Sequence, residues 1–144
     1  MALPNKNPLE QYKETQVATA NQGKLIVMLY DGAIKFLNIA AENMDPKTYD
    51  AANTNILKAQ DIITELLLSL NMKDGGEIAK NLFSLYMYFK KSLLEANISK
   101  DPEKVRHIIK LLKDLRDAWD KISASEAKTD KNPITAKGSF SIEG

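Results

Sequence analysis

Apolar residues recur at steps of three and four along most of this chain, the spacing that lays side chains along one side of a helix. Ile56, Ala59, Ile63, Leu66 and Leu70 form one such series. Leu82, Tyr86, Phe89, Leu93 and Ala96 form another, and Val105, Ile108, Leu112, Leu115, Trp119 and Ile122 a further one. Proline and glycine separate them. Asp45-Pro46 and Asp101-Pro102 each read as a capping residue followed by proline at the first helical position, and Asp74-Gly75-Gly76 reads as a C-terminal cap. The pattern predicts helices over 22–43, 46–73, 77–99 and 102–122, with no strand-like alternation between them. Long helices with short connections favour antiparallel neighbours, so the expected fold is all-α, an antiparallel four-helix bundle.

The two ends read differently. Residues 1–21 are expected to form an N-terminal arm, in which Asn7-Pro8 opens a short helix and Thr15, Val17 and Thr19 disfavour its continuation. From Ser123 to Gly144 the composition shifts to Ser, Lys, Thr, Asp and Gly, which predicts a flexible, disordered tail. Near its end Phe140 and Ile142 alternate with serine, which is either a docking strand or chance.

Placing helix residues at 100° steps exposes an uneven distribution of apolar surface. The fourth helix is ordinary: Arg106, Lys110, Lys113, Asp114, Asp117 and Lys121 cover the side opposite its apolar face. The first helix confines its polar residues to a narrow wedge. Leu25, Met28, Leu29, Phe36 and Ile39 make a core stripe there, while Val27, Tyr30 and Ile34 make a further row. The third helix carries a second stripe of Phe83, Met87, Leu94 and Ile98, separated from its core series by Lys90. Leu57 and Leu68 do the same on a flank of the second helix. Exposing such surface costs roughly 25 cal/mol per Å², so these rows call for a cover: an arm, a tail, a second copy of the chain, or a partner helix lying in a groove.

Composition narrows the function classes. The chain has 144 residues, 44% hydrophobic and 27% charged, and a net charge of +1. That balance argues against an electrostatic nucleic-acid binder. There is no cysteine and one histidine, which removes thiolate chemistry and histidine-based metal sites, so neither a metal nor a cofactor is expected. The longest apolar run, Leu25 to Tyr30, is far short of the roughly 20 residues that span a bilayer, and no targeting segment is visible. No membrane insertion and a cytoplasmic location are the expectations.

His107 with Lys110 on a bundle helix raises the question of histidine phosphotransfer. Such domains favour a glycine next, where this chain has Leu111, and His107 lies at the edge of the apolar face. Asp74-Gly75-Gly76-Glu77 lacks the lysine and the spaced glycines of a phosphate loop. No nucleophile-and-base signature is present, and the chain does not read as an enzyme.

Several stretches in order resemble the flagellin export chaperones of the FliS family. They are Thr19-Ala20 with Lys24-Leu25-Ile26-Val27-Met28-Leu29-Tyr30-Asp31-Gly32-Ala33-Ile34; Lys58-Ala59-Gln60-Asp61-Ile62-Ile63 with Glu65-Leu66; Gly75-Gly76-Glu77-Ile78-Ala79 with Asn81-Leu82 and Leu85-Tyr86; and Leu111-Leu112 with Leu115-Arg116 and Ala118-Trp119. Where members often carry Ser-Pro, this chain has Asn21-Gln22-Gly23.

The resemblance implies a non-catalytic binding protein. Its client would be the C-terminal helical segment of flagellin, kept from polymerising and delivered to the flagellar type III export apparatus. The export gate and other flagellar proteins are further candidate partners, and the chain itself would be a monomer or weak homodimer. Joined to the apolar excess, it makes Ile26, Val27, Tyr30, Ile34, Leu57, Leu68, Phe83 and Met87 the candidate client contacts, and Tyr12 and Val17 the arm residues that cover the groove when it is empty. Asp31 and Gly32 are assigned structural roles, Gly32 for close helix approach. The alternatives are a self-associating structural bundle and the phosphotransfer domain.

Overall fold

A computed structural model describes residues 22–129, with side chains as far as 125. The arm residues Tyr12 and Val17 and the alternating stretch at Phe140 and Ile142 lie outside it. Four helices follow one another: α1 (Gln22–Ala41), α2 (Tyr49–Leu68), α3 (Gly76–Ser99) and α4 (Pro102–Thr129). They form the expected all-α four-helix bundle. Each helix packs on its neighbours in a square, α1 between α2 and α4, and α3 between α2 and α4, so that α1 and α3 lie on a diagonal.

Cross-helix pairs fix the antiparallel order. Gly23 lies against Ser123 and Asp31 meets Arg116, so α1 and α4 run oppositely. Gly32 with Ile62 and Phe36 with Lys58 do the same for α1 and α2. Asn53 with Lys100 and Gln60 with Lys90 set α2 against α3.

The core stripes of α2, α3 and most of α4 follow the predicted spacing: Ile56, Ile63, Leu66, Tyr86, Phe89, Leu93, Ile108 and Leu112 are buried. The stripe of α1 does not. Its buried face is Gly23, Ile26, Tyr30, Ala33, Leu37 and Ala40, with Val27 and Ala41 beside it. Leu25, Met28, Leu29, Phe36 and Ile39 sit half-buried on the flanks. Steps of three and four run unbroken through the buried set once glycine and alanine are counted as core residues. The reading from large side chains alone rotates the helix away from its true face. Small residues belong there because α1 is pressed between two neighbours. A Cβ on Gly32 would sit 3.1 Å from the Ile62 Cδ1, and one on Gly23 3.1 Å from the Ser123 Cβ.

The helix ends also depart from the prediction. Asp45-Pro46 opens a single 3-10 turn, Pro46–Thr48, in which the Thr48 N–H donates to the Asp45 carbonyl at 2.8 Å. The helix α2 starts only at Tyr49 and stops at Leu68 rather than near 73, because the Asn71 side chain accepts hydrogen bonds from the Lys73 and Asp74 N–H groups and turns the chain. Gly75-Gly76 therefore opens α3 rather than closing α2: Gly76 has φ +62°, and a Cβ on Gly75 would lie 2.5 Å from the Asn71 carbonyl oxygen. Asp101-Pro102 behaves as read, with the Asp101 Oδ1 accepting from the Glu103 N–H at 3.0 Å. The helix α4 continues to Thr129, past the expected end at 122, so the stretch that opens the predicted tail is helical. Ser123 is buried against Gly23, which ties this added turn to the start of α1.

Candidate functional site

The seam between α2 and α3 is built from two different kinds of residue. A polar knot holds the helices together at mid-length. The Gln60 side-chain amide donates to the Lys90 carbonyl at 3.0 Å, and the Lys90 ammonium donates to the Thr64 hydroxyl at 2.7 Å and the Gln60 carbonyl at 3.3 Å. Further along, the Lys100 ammonium donates to the Asn53 Oδ1 and lies 4.8 Å from the Tyr49 ring centroid. These bonds turn one flank of each helix toward the other.

On those same flanks the outward positions are apolar and open to solvent. The α2 helix presents Leu57 at 60% exposure and Leu68 at 77%. The α3 helix presents Phe83, Met87, Leu94 and Ile98, with Leu94 at 56% and Ile98 at 76%. At 100° per residue, Phe83, Met87, Lys90, Leu94 and Ile98 fall within one narrow arc. The register set by Gln60–Lys90 and Asn53–Lys100 places Leu57 level with Leu94 and Leu68 level with Phe83. The face is thus an apolar track divided at its middle by the Lys90 ammonium.

Four of the sequence-predicted contacts, Leu57, Leu68, Phe83 and Met87, are brought together here. The α1 candidates are not. Ile26, Val27 and Tyr30 are 2%, 4% and 0% exposed and belong to the core, which corrects their reading as client contacts. Ile34 is half-buried and packed against that core. The reason is the rotation of α1 already described. Leu94 and Ile98 complete the track and were not among the candidates, although they continue the heptad spacing of Phe83 and Met87. Met72, Ile78, Tyr88 and Ile122 are also exposed, with Ile78 and Tyr88 outside the arc of the track on α3.

Behind this face lies a buried polar contact. The Tyr30 and Tyr86 hydroxyls hydrogen-bond at 2.6 Å. Burial pushes the Tyr86 phenol up to about 12, an effect that its hydrogen bond with Tyr30 opposes. Burial, and then the neighbouring Tyr86, raise Tyr30 further. On the surface Asp31 holds the Arg116 guanidinium at 2.8 Å and raises its pKa, through the hydrogen bond first and its charge second. His107 is exposed on α4. Among the described residues no cluster of acidic side chains, histidine or cysteine is arranged to hold a metal ion, and no helix is long and apolar enough to cross a membrane.

Comparison with known proteins gives one family. The model of the family "Flagellar protein FliS" matches residues 5–126. The flagellar secretion chaperone FliS of Bacillus subtilis (strain 168) is 35% identical over 123 residues, which is 85% of this chain and 91% of that protein. FliS of Vibrio cholerae is 33% identical over 81% of this chain and 89% of its own length. FliS of Salmonella typhimurium is 36% identical over 76% and 82%.

Proposed function

The chain belongs to the FliS family, and from that premise we propose that it is a flagellar export chaperone acting in the cytoplasm by holding the C-terminal helical segment of flagellin. The observation that carries this reading is the open apolar track of Leu57, Leu68, Phe83, Met87, Leu94 and Ile98 along the α2–α3 seam. A bundle gains nothing by exposing this surface, and an amphipathic helix laid in the groove would bury it. Burial returns roughly 25 cal/mol per Å² of apolar area. A flagellin segment held this way has its own apolar stripe occupied and cannot pack with other flagellin chains. That blocks polymerisation until the client is passed to the type III export apparatus, with the export gate as a further partner.

The work is binding, with no bond made or broken. Because the net charge is only +1, attraction at a distance is weak and the affinity should change little with salt. The test is calorimetric titration of the full chain with the C-terminal segment of flagellin. One-to-one binding at micromolar or tighter concentration supports the reading; no heat and no binding at those concentrations overturns it. Sedimentation distinguishes the self-associating bundle, which would bury the same track in a stable dimer.

A further inference from the structure

Exposed apolar side chains occur toward both ends of the bundle, Leu57, Leu94 and Ile98 toward one and a second group toward the other. Leu68, Met72, Ile78, Phe83 and Ile122 make up that second group. Their end is the one at which α4 finishes, since Ser123 lies against Gly23 at the start of α1 and α1 runs antiparallel to α2. Residues 130–144 follow from Thr129. Most of that stretch is small or charged, and its two large apolar residues besides Ile134 are Phe140 and Ile142, set in alternation with Ser139 and Ser141.

We propose that residues 138–144 dock in extended form on the α2–α3 face, with Phe140 and Ile142 seated beside Leu68, Phe83 and Met87, as a built-in occupant that a partner must displace. Spacing and reach support the match. In an extended segment alternate side chains point the same way about 6.6 Å apart. Phe83 and Met87, one helical turn apart, are spaced about 6 Å along α3. Equal counts from the Lys100–Asp101 turn place Phe83 about 16 Å back along the bundle from Thr129, with α3 itself about 10 Å across. The residues from Thr129 to Phe140 span up to about 36 Å when extended. The segment reaches the face with slack. A short tether of this kind presents its end at an effective concentration of about millimolar, so even weak seating by two side chains fills the face. Docking does not depend on the function proposed above; competition with a flagellin segment does.

The chain has no cysteine, so Ser141→Cys gives a single attachment point for a nitroxide in the full chain. Docking predicts strong broadening of the Met87 methyl signal, little effect on Met44 at the opposite end, and several-fold relief at Met87 when Phe140→Ser and Ile142→Ser are added. Equal broadening at Met87 with and without those two changes overturns the proposal. So does broadening seen only between separately labelled chains, which assigns the face to a second copy. Broadening at Met87 from a Thr15→Cys label with none from Ser141→Cys assigns it to the N-terminal arm and overturns the proposal as well. The Phe140→Ser/Ile142→Ser chain should then bind the flagellin segment several-fold more tightly. Failure of that segment to bind either chain, with the nitroxide pattern intact, counts against the chaperone function and leaves the docked tail standing.

Discussion

The phenolic oxygens of Tyr30 and Tyr86 lie 2.6 Å apart inside the core, on helices that face each other only across the diagonal of the bundle. Both side chains are fully buried. The two hydroxyls bond each other and the Trp119 side chain also bonds Tyr30, so the pair is a polar latch between α1 and α3 with a link to α4. Tyr30→Phe strands the Tyr86 hydroxyl, at a cost of about 1–3 kcal/mol, whereas Tyr86→Phe leaves the Tyr30 hydroxyl its bond with the Trp119 side chain and costs less. Tyr30→Phe and Tyr86→Phe should each lower stability, and the double variant should cost less than their sum. Urea unfolding of the four chains measures this coupling.

The same pair predicts a loss of stability in alkali. Burial raises the Tyr86 phenol from 10.0 to about 12, and Tyr30 shifts in the same direction. A group whose pKa is raised by folding favours the folded state below its unfolded value and weakens it as pH rises through the folded value. The native chain should therefore lose stability between pH 10 and 12, by about 1.4 kcal/mol per pH unit for each tyrosine in that window. Thermal unfolding at stepped pH checks this, and the Tyr30→Phe/Tyr86→Phe chain should show a shallower fall.

The turn between α2 and α3 depends on glycine at two positions, Gly76 for its φ of +62° and Gly75 for space. A Cβ on Gly75 would approach the Asn71 carbonyl to 2.5 Å and the Ala79 Cβ to 2.6 Å, and the first of these is backbone that cannot step aside. Gly75→Ala should lower stability by about 1–3 kcal/mol through local strain, read from the denaturation midpoint. Gly32→Ala is different. Its new methyl meets only the flexible end of Ile62, and a gain in helix propensity of about 1 kcal/mol offsets the contact.

Much of this architecture is legible in the residues, and what is not has a physical cause. The large apolar series of α2, α3 and α4 fix their core faces because each contains a leucine, isoleucine or aromatic at nearly every step. The surplus stripe of Phe83, Met87, Leu94 and Ile98 is legible for the same reason, since one helix face cannot bury both series. The face of α1 is obscured because Gly23, Ala33 and Ala40 occupy core positions that a search for bulky side chains passes over. Close packing against two neighbours selects small residues there, and it moves Tyr30 from the apparent surface to the centre of the protein. The pairing of Asp31 with Arg116 is likewise invisible along the chain, since it joins helices at opposite ends of the sequence.

The two classes of apolar residue separate cleanly in a mutational test. Aspartate at Tyr30 or Ile26 places a charge in the core and should abolish cooperative unfolding. Aspartate at Leu57, Phe83 or Leu94 places it in solvent and should change stability by less than about 1 kcal/mol. Circular dichroism melts distinguish the two sets.

The most direct test of the central claim is titration of the Phe83→Asp and Leu94→Asp chains with the C-terminal segment of flagellin, beside the unaltered chain. The apolar track predicts at least a tenfold loss of affinity in each variant, equivalent to about 1.4 kcal/mol, with the helical spectrum and melting midpoint retained. Undiminished binding by both folded variants would contradict the α2–α3 face as the place where the client is held.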